Sequence, residues 1–305
     1  MLLMGHGHGH GAAGHAGGRY RSRLAITFVL VATYLVLELV AGVWSGSLAL
    51  LSDAGHMSAD VVALGAALLA TRIAARTDNT GRRTYGSYRA EVFASGLTVL
   101  IMLGVAAYVV VEAVGRIGAE TEVQTGAMLV VGAVGLVINV VSMLLLRAGA
   151  AESLNVKGAY FEVIADAAGS VGVIVAGVIV AITGEPLWDT GVAVAIGLFV
   201  AVRAVVLGRE VLAVLGQEIP DGLVVDAVVA DLEAIPGVED VHDLHVWTLT
   251  SGMNVATAHL ALAGDADSQD VLAQAQRMLA AAHRIEHATL QTETAPTPQC
   301  LEVTW

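Results

Sequence analysis

Two short motifs, His56-Met-Ser-Ala-Asp60 and Glu162-Val-Ile-Ala-Asp166, each set two metal-ligating side chains four residues apart. On a helix that spacing puts both side chains on one face, a turn apart. Each motif lies inside an apolar run, 48–70 for the first and 158–182 for the second. Ionisable groups in hydrocarbon are costly, so they face a bundle interior and mark an ion or proton path. One imidazole and three carboxylates on crossing helices suit a four-coordinate Zn²⁺ with bonds of about 2.0–2.2 Å. Ala54, Gly55, Ser58 and Ala59 flank the first pair, and Ala165, Ala167, Ala168 and Gly169 the second. Small residues of this kind let membrane helices approach closely. The competing reading is two unrelated polar pairs satisfied by interhelical hydrogen bonds, and the shared spacing argues against it. Because a metal needs deprotonated carboxylates and a neutral imidazole, protons compete with it for the same atoms.

The elements that must position these groups are membrane helices. The chain has 305 residues, 56% hydrophobic and 14% charged, with a mean hydropathy of +0.73. Apolar runs at 24–44, 48–70, 90–114, 126–146, 158–182 and 187–207 are each near the ~20 residues a spanning helix needs. The first has no small-residue cleavage site after it and does not read as a signal peptide. The expected fold is a six-helix transmembrane bundle. Basic residues gather before the first run (Arg19, Arg21, Arg23), between the second and third (Arg72, Arg76, Arg82, Arg83, Arg89), between the fourth and fifth (Arg147, Lys157) and at the close of the sixth (Arg203, Arg209). The alternate loops carry little positive charge, which places both termini in the cytoplasm. Short loops point to a multi-pass protein of a prokaryotic inner membrane, in contact with lipid.

Outside the spans, residues 1–18 are Gly, Ala and His, with His6, His8, His10 and His15 available for weak metal capture. Such a segment has nothing to pack and is expected to be disordered. The transport domain is expected over 19–209 and a soluble α+β domain over 210–294, with a loose tail at 295–305. In the soluble part Val224–Ala234 reads as a helix stopped at Pro236-Gly237. His242–Leu249 and Val255–Leu262 read as strands about a Ser251-Gly252 turn. Ser268 is expected to cap a helix to His283, and Ala288–Glu293 closes as a third strand. That order is ferredoxin-like. The net charge of −13 is concentrated there and argues against a nucleic-acid partner. A single cysteine, Cys300, excludes a disulfide scaffold. His242 and His259 on adjoining strands are the main candidates for a second metal site, with Asp243, Glu286, His287 and Glu293 as further ligands. His245 and Trp247 read as packing residues, and His283 as a surface residue. In the membrane, Asp53, Glu38, Asn139 and Asp189 either line the path or bond between helices.

The chain resembles the cation diffusion facilitator family along nearly its whole length. The resemblance rests on Ser47-Leu-Ala-Leu-Leu-Ser-Asp-Ala-Gly-His56-Met-Ser-Ala-Asp60, Arg83-Thr-Tyr-Gly86 with Arg89-Ala-Glu91, and Asn155-Val-Lys-Gly-Ala-Tyr160. It continues through Asp166-Ala-Ala-Gly-Ser170 and Val241-His-Asp-Leu-His-Val-Trp247. It implies a homodimeric six-helix metal/proton antiporter with a cytosolic ferredoxin-like domain that dimerises and binds regulatory metal. It also implies that the second and fifth helices carry the transport site, here His56, Asp60, Glu162 and Asp166.

Glu162 departs from that pattern, because zinc-selective members of the family usually have His there. A carboxylate in its place adds negative charge and hardness, which broadens preference toward Co²⁺, Cd²⁺, Fe²⁺ or Mn²⁺. The function expected is therefore proton-coupled export of divalent cations, Zn²⁺ foremost. Two rivals are a membrane metalloenzyme and a membrane-anchored metal sensor. No zincin helix motif and no Gly-x-Ser-x-Gly elbow occurs, which counts against the enzyme.

Overall fold

In a computed structural model of the chain, residues 21–74, 85, 89–117, 122–150, 154–250 and 252–294 are described. The His-rich start, the tail after 294 with Cys300, and most of the Arg83-Thr-Tyr-Gly86 motif lie outside them. Six long helices come first: α1 (Arg21–Ser45), α2 (Leu48–Ala74), α3 (Ala90–Gly115), α4 (Thr125–Ala150), α5 (Leu154–Thr183) and α6 (Leu187–Leu215). Five of them, α1 and α3 to α6, are long and apolar enough to cross a membrane. The sixth, α2, has 27 residues, about 40 Å at helical rise, and differs in carrying Asp53, His56 and Asp60. Each of the six expected runs forms a long helix. The main difference is α6, which continues eight residues beyond the apolar run because Gly208-Arg-Glu-Val-Leu-Ala-Val-Leu215 is a good helix former despite its charges.

The described residues divide into two compact units, one within Met1–Gly65 and Leu97–Val205, the other within Ala66–Gly96 and Val206–Trp305. The core of the first unit is built from Tyr34, Leu48, Leu50, Met57, Val109, Met128, Val173 and Ala193, three from α2 and one from each other helix. On the outside, Val29, Val36, Val43, Val111, Val137, Leu144 and Leu198 are exposed. Apolar residues both inside and outside are what a lipid-facing bundle requires. Helix α1 turns at Gly46, whose φ of +68° suits glycine, directly into α2.

Asp189 at the start of α6 holds that corner. Its buried carboxylate accepts hydrogen bonds from the Ser47 hydroxyl (2.6 Å), the Leu48 amide (2.7 Å) and the Ala49 amide (3.2 Å). The two amides are the first donors of α2, which have no partner inside the helix. Arg116 adds a salt bridge to Asp189 at 3.4 Å and one to Glu112 at 3.3 Å. Asp189 is thus an interhelical cap, the structural role among those open to it. Asn139 likewise bonds across helices, to Ser170 at 3.4 Å.

The second unit contains α7 (Val225–Glu233), β1 (Val238–Thr250), β2 (Met253–Leu262), α8 (Ser268–His283) and β3 (His287–Glu293). The sheet order is β1-β2-β3, antiparallel between β1 and β2 and parallel between β2 and β3. Val228 and Leu232 of α7 and Val271, Ala275 and Leu279 of α8 pack on Val246, Ala256 and Leu260 of the sheet. This αββαβ order is the ferredoxin-like unit expected. One detail differs: the N-cap of α8 is Asp267, not Ser268, and its carboxylate accepts from the amides of Gln269 and Asp270. The ionised side chain one residue earlier is the better acceptor at a helix N-terminus. His283 pairs with Asp231 at 2.8 Å, joining α8 to α7.

Candidate metal centres

The α2 and α5 motifs meet. Helical spacing puts Asp60 one turn after His56, with His56 Nε2 3.5 Å from Asp60 Oδ2. From α5, Asp166 Oδ1 reaches the same nitrogen at 3.6 Å. Ligand atoms of His56, Asp60 and Asp166 all lie within 4.8 Å of one another. A tetrahedral ion with bonds of about 2.1 Å has ligand atoms about 3.4 Å apart, so a modest contraction would close this triangle on a cation. The side chains of His56 and Asp166 are each only 3% exposed. Asp60 Oδ2 and Asp166 Oδ1 are buried without a hydrogen-bond donor. Buried anionic oxygens left so are costly unless a cation or proton meets them, which is the condition a cation site requires.

Small residues allow the approach. A β-carbon on Gly169 of α5 would collide with the Asp53 carboxylate of α2, and one on Gly55 would strike the Val105 side chain of α3. Asp53 is thereby a buried neighbour of the site, one turn before His56 on the same helix. Glu38 of α1 is also fully buried and accepts a hydrogen bond from the Tyr34 hydroxyl at 2.9 Å.

Glu162 stands differently from its three companions. Its carboxylate is 38% exposed and accepts a hydrogen bond from Arg203 Nη2 at 2.6 Å. Arg203 Nη1 lies 3.3 Å from His56 Nε2 and 3.8 Å from Asp60 Oδ1. The guanidinium rests over the ring of Phe199, 5.8 Å from its centroid, and that ring meets His56 edge-on at 5.7 Å. Read from the sequence, Arg203 is a loop charge at the end of a span; in the structure it belongs to the site. The sequence signal was present, since an arginine inside a helix that continues to Leu215 must find a partner or snorkel.

A second cluster forms on the sheet. The β1–β2 register sets His242 directly opposite His259, with ring centroids 5.4 Å apart. Glu293 at the end of β3 reaches both, at 3.4 Å from His242 Nε2 and 3.0 Å from His259 Nδ1. Asp240 lies 3.0 Å from the other nitrogen of His242, and Asp243 lies 3.8 Å from that of His259. Such outer carboxylates orient imidazoles for a metal. A bulge between His242 and His245, with Asp243 at a φ of +52°, turns Asp243 toward the cluster.

Glu286 and His287 are not brought to this cluster. The parallel register pairs His259 with Gln291, so Glu293, two residues on, shares its face. His287 has the same parity but precedes Gln291 by four residues, about 13 Å along the strand. It packs edge-on with Tyr85 instead, at 5.6 Å. Glu286 precedes the strand and is exposed. His245 pairs with Asp243 at 2.9 Å and is half exposed.

Long apolar helices that bury an imidazole among carboxylates, followed by a small α+β unit, point to a membrane protein able to hold a cation. Comparison with known proteins agrees. Residues 24–215 match the cation efflux transmembrane domain and residues 220–295 the cytoplasmic domain of cation efflux proteins. The metal cation efflux system protein CzcD of Cupriavidus metallidurans is 43% identical over 286 residues, covering 93% of this chain and 90% of that protein. Zinc transporter ZitB of Escherichia coli is 35% identical over 286 residues, covering 91% and 90%. A cadmium, cobalt and zinc/H⁺-K⁺ antiporter of Bacillus subtilis is 30% identical over 286 residues, covering 92% and 91%. The chain belongs to the cation efflux family: it is a multi-pass membrane transporter of divalent metal cations, not an enzyme.

Proposed function

We propose that this protein is a proton-coupled antiporter that exports divalent cations, Zn²⁺ foremost, from the cytoplasm of a prokaryotic cell. The observation that carries this reading is the buried convergence of His56, Asp60 and Asp166 on α2 and α5, with Glu162 beside them. Metal and protons exclude one another at these atoms, because each carboxylate that binds metal must give up its proton. Protons arriving from outside therefore release the ion, and a rocking motion of the helices that carry the site gives each side access in turn. Both termini lie in the cytoplasm on this reading, following the basic loops. Two copies pair through the soluble domain, in keeping with the dimer role that the family resemblance implies for it.

Glu162 is the residue through which metal choice is set. In proteoliposomes with a pH gradient, initial rates compared for Zn²⁺, Cd²⁺, Co²⁺, Fe²⁺ and Mn²⁺ should show broad uptake by the wild type. Glu162→His should raise the zinc preference over cobalt and manganese by about tenfold. Strict zinc selectivity in both proteins would contradict this role.

His242, His259 and Glu293 are read as a regulatory metal site in the cytosolic domain. Zinc retained by the purified full chain should fall by about one equivalent per protomer in His242→Ala with His259→Ala. Unchanged zinc content in that double variant would remove the site. Replacing Glu286 or His287 should leave the metal content as it is.

A further inference from the structure

Arg203 places a permanent positive charge among the groups that would bind the transported ion, and the metal-binding reading alone does not account for it. A guanidinium only donates hydrogen bonds and stays protonated in proteins. With Arg203 Nη1 at 3.3 Å from His56 Nε2, that ring nitrogen must be the acceptor. It is the same nitrogen that faces Asp60 and Asp166 at 3.5 and 3.6 Å. One lone pair cannot serve both an N–H and a metal ion. We infer that Arg203 is a built-in competitor for the transported cation: without metal its guanidinium holds Glu162 and leans on His56, and an incoming ion takes His56 from it. This rests on the transport site proposed above.

Two further observations support it. The Arg203 side chain is 28% exposed and lies over Phe199, so the guanidinium has open space and an aromatic face to move along. Charge balance points the same way. Three carboxylates with a neutral imidazole total three negative charges, and Arg203 reduces this to two, the complement of a divalent ion. A glutamate where a zinc-selective site would carry histidine is thus offset by an arginine on the neighbouring helix. By repelling the bound ion and standing ready to reoccupy His56, Arg203 weakens retention and hastens release.

The test is zinc flux by the full-length protein in proteoliposomes under a fixed pH gradient, resolved into KM and kcat. Arg203→Met and Arg203→Gln remove the charge, and the glutamine retains a hydrogen-bond donor for Glu162 so that local packing survives. Both should lower the zinc KM by about tenfold and lower kcat as well, since the ion leaves more slowly. Arg203→Lys, which keeps the charge but not the stacked, forked geometry, should leave KM closer to the wild type than either neutral variant does. A loss of packing alone would instead raise KM or leave it unchanged. KM unchanged or raised in both neutral variants, with a wild type that transports normally, overturns the competitor role. A wild type that moves no divalent cation overturns the transport reading and this inference with it.

Discussion

Asp166→Asn should stop divalent cation flux while leaving the protein folded. The substitution keeps the size of the side chain and removes the charge that draws a cation toward His56 and Asp60. Asp166 Oδ1 has no hydrogen-bond donor in the bundle, so the amide forfeits no bond there, and the neutral group sits more easily in a buried place. Outer-shell changes at metal sites already cost about 10–100-fold in affinity or activity, so loss of a ligand itself should exceed about a hundredfold. Asp60→Asn should behave alike. The measurement is zinc-dependent flux in sealed vesicles, with unfolding temperature in detergent as the control. Flux within a few-fold of wild type would mean that Asp166 does not bind the ion.

Asp189→Ala should produce the largest loss of stability among the polar positions. The carboxylate is fully buried and makes three hydrogen bonds at the start of α2 and a salt bridge to Arg116. Removing one member of a buried charge pair costs about 3–5 kcal/mol, because its partner remains buried without compensation. Arg116 would keep only Glu112, whose side chain is 42% exposed. Against the 5–15 kcal/mol typical of a folded domain, that loss is large. Thermal unfolding and folded yield should both fall sharply in Asp189→Ala. Asp189→Asn, which retains an acceptor for Ser47, should fall less. An unfolding temperature equal to wild type in Asp189→Ala would show that the α2 corner does not depend on this cap.

Helix periodicity explains why the convergence of the two motifs could be expected from the residues. His56 with Asp60, and Glu162 with Asp166, share a face by spacing alone, and the flanking glycines and alanines announce a close crossing. Periodicity does not say which of four groups will point inward. Glu162 is turned aside by Arg203, a partner 41 residues away, and no local pattern reveals such a pairing. Arg203 was hidden for a second reason: counting basic residues for topology treats every arginine at a span end as a loop charge. Arg116 misleads in the same way, since it is buried against Asp189.

In the soluble domain the strands and helices followed from alternation and turn residues, and His242 beside His259 followed from a tight hairpin. The third ligand candidate depended on the register of β3 against β2, which nothing in the two strands specifies. Glu286 and His287 are the main expectations from this segment, and the register, with Ala261 opposite Glu293, brings Glu293 to the cluster instead. The cap at Asp267 rather than Ser268 shows the usual limit of helix boundaries, where adjacent residues can both serve and geometry decides.

Anomalous scattering at the zinc edge from crystals of the zinc-loaded full-length protein would test the central assignment most directly. A peak should lie among His56 Nε2 and the carboxylates of Asp60 and Asp166, about 2.0–2.2 Å from each. Zinc bound only on the cytosolic sheet, or between other helices, would contradict it.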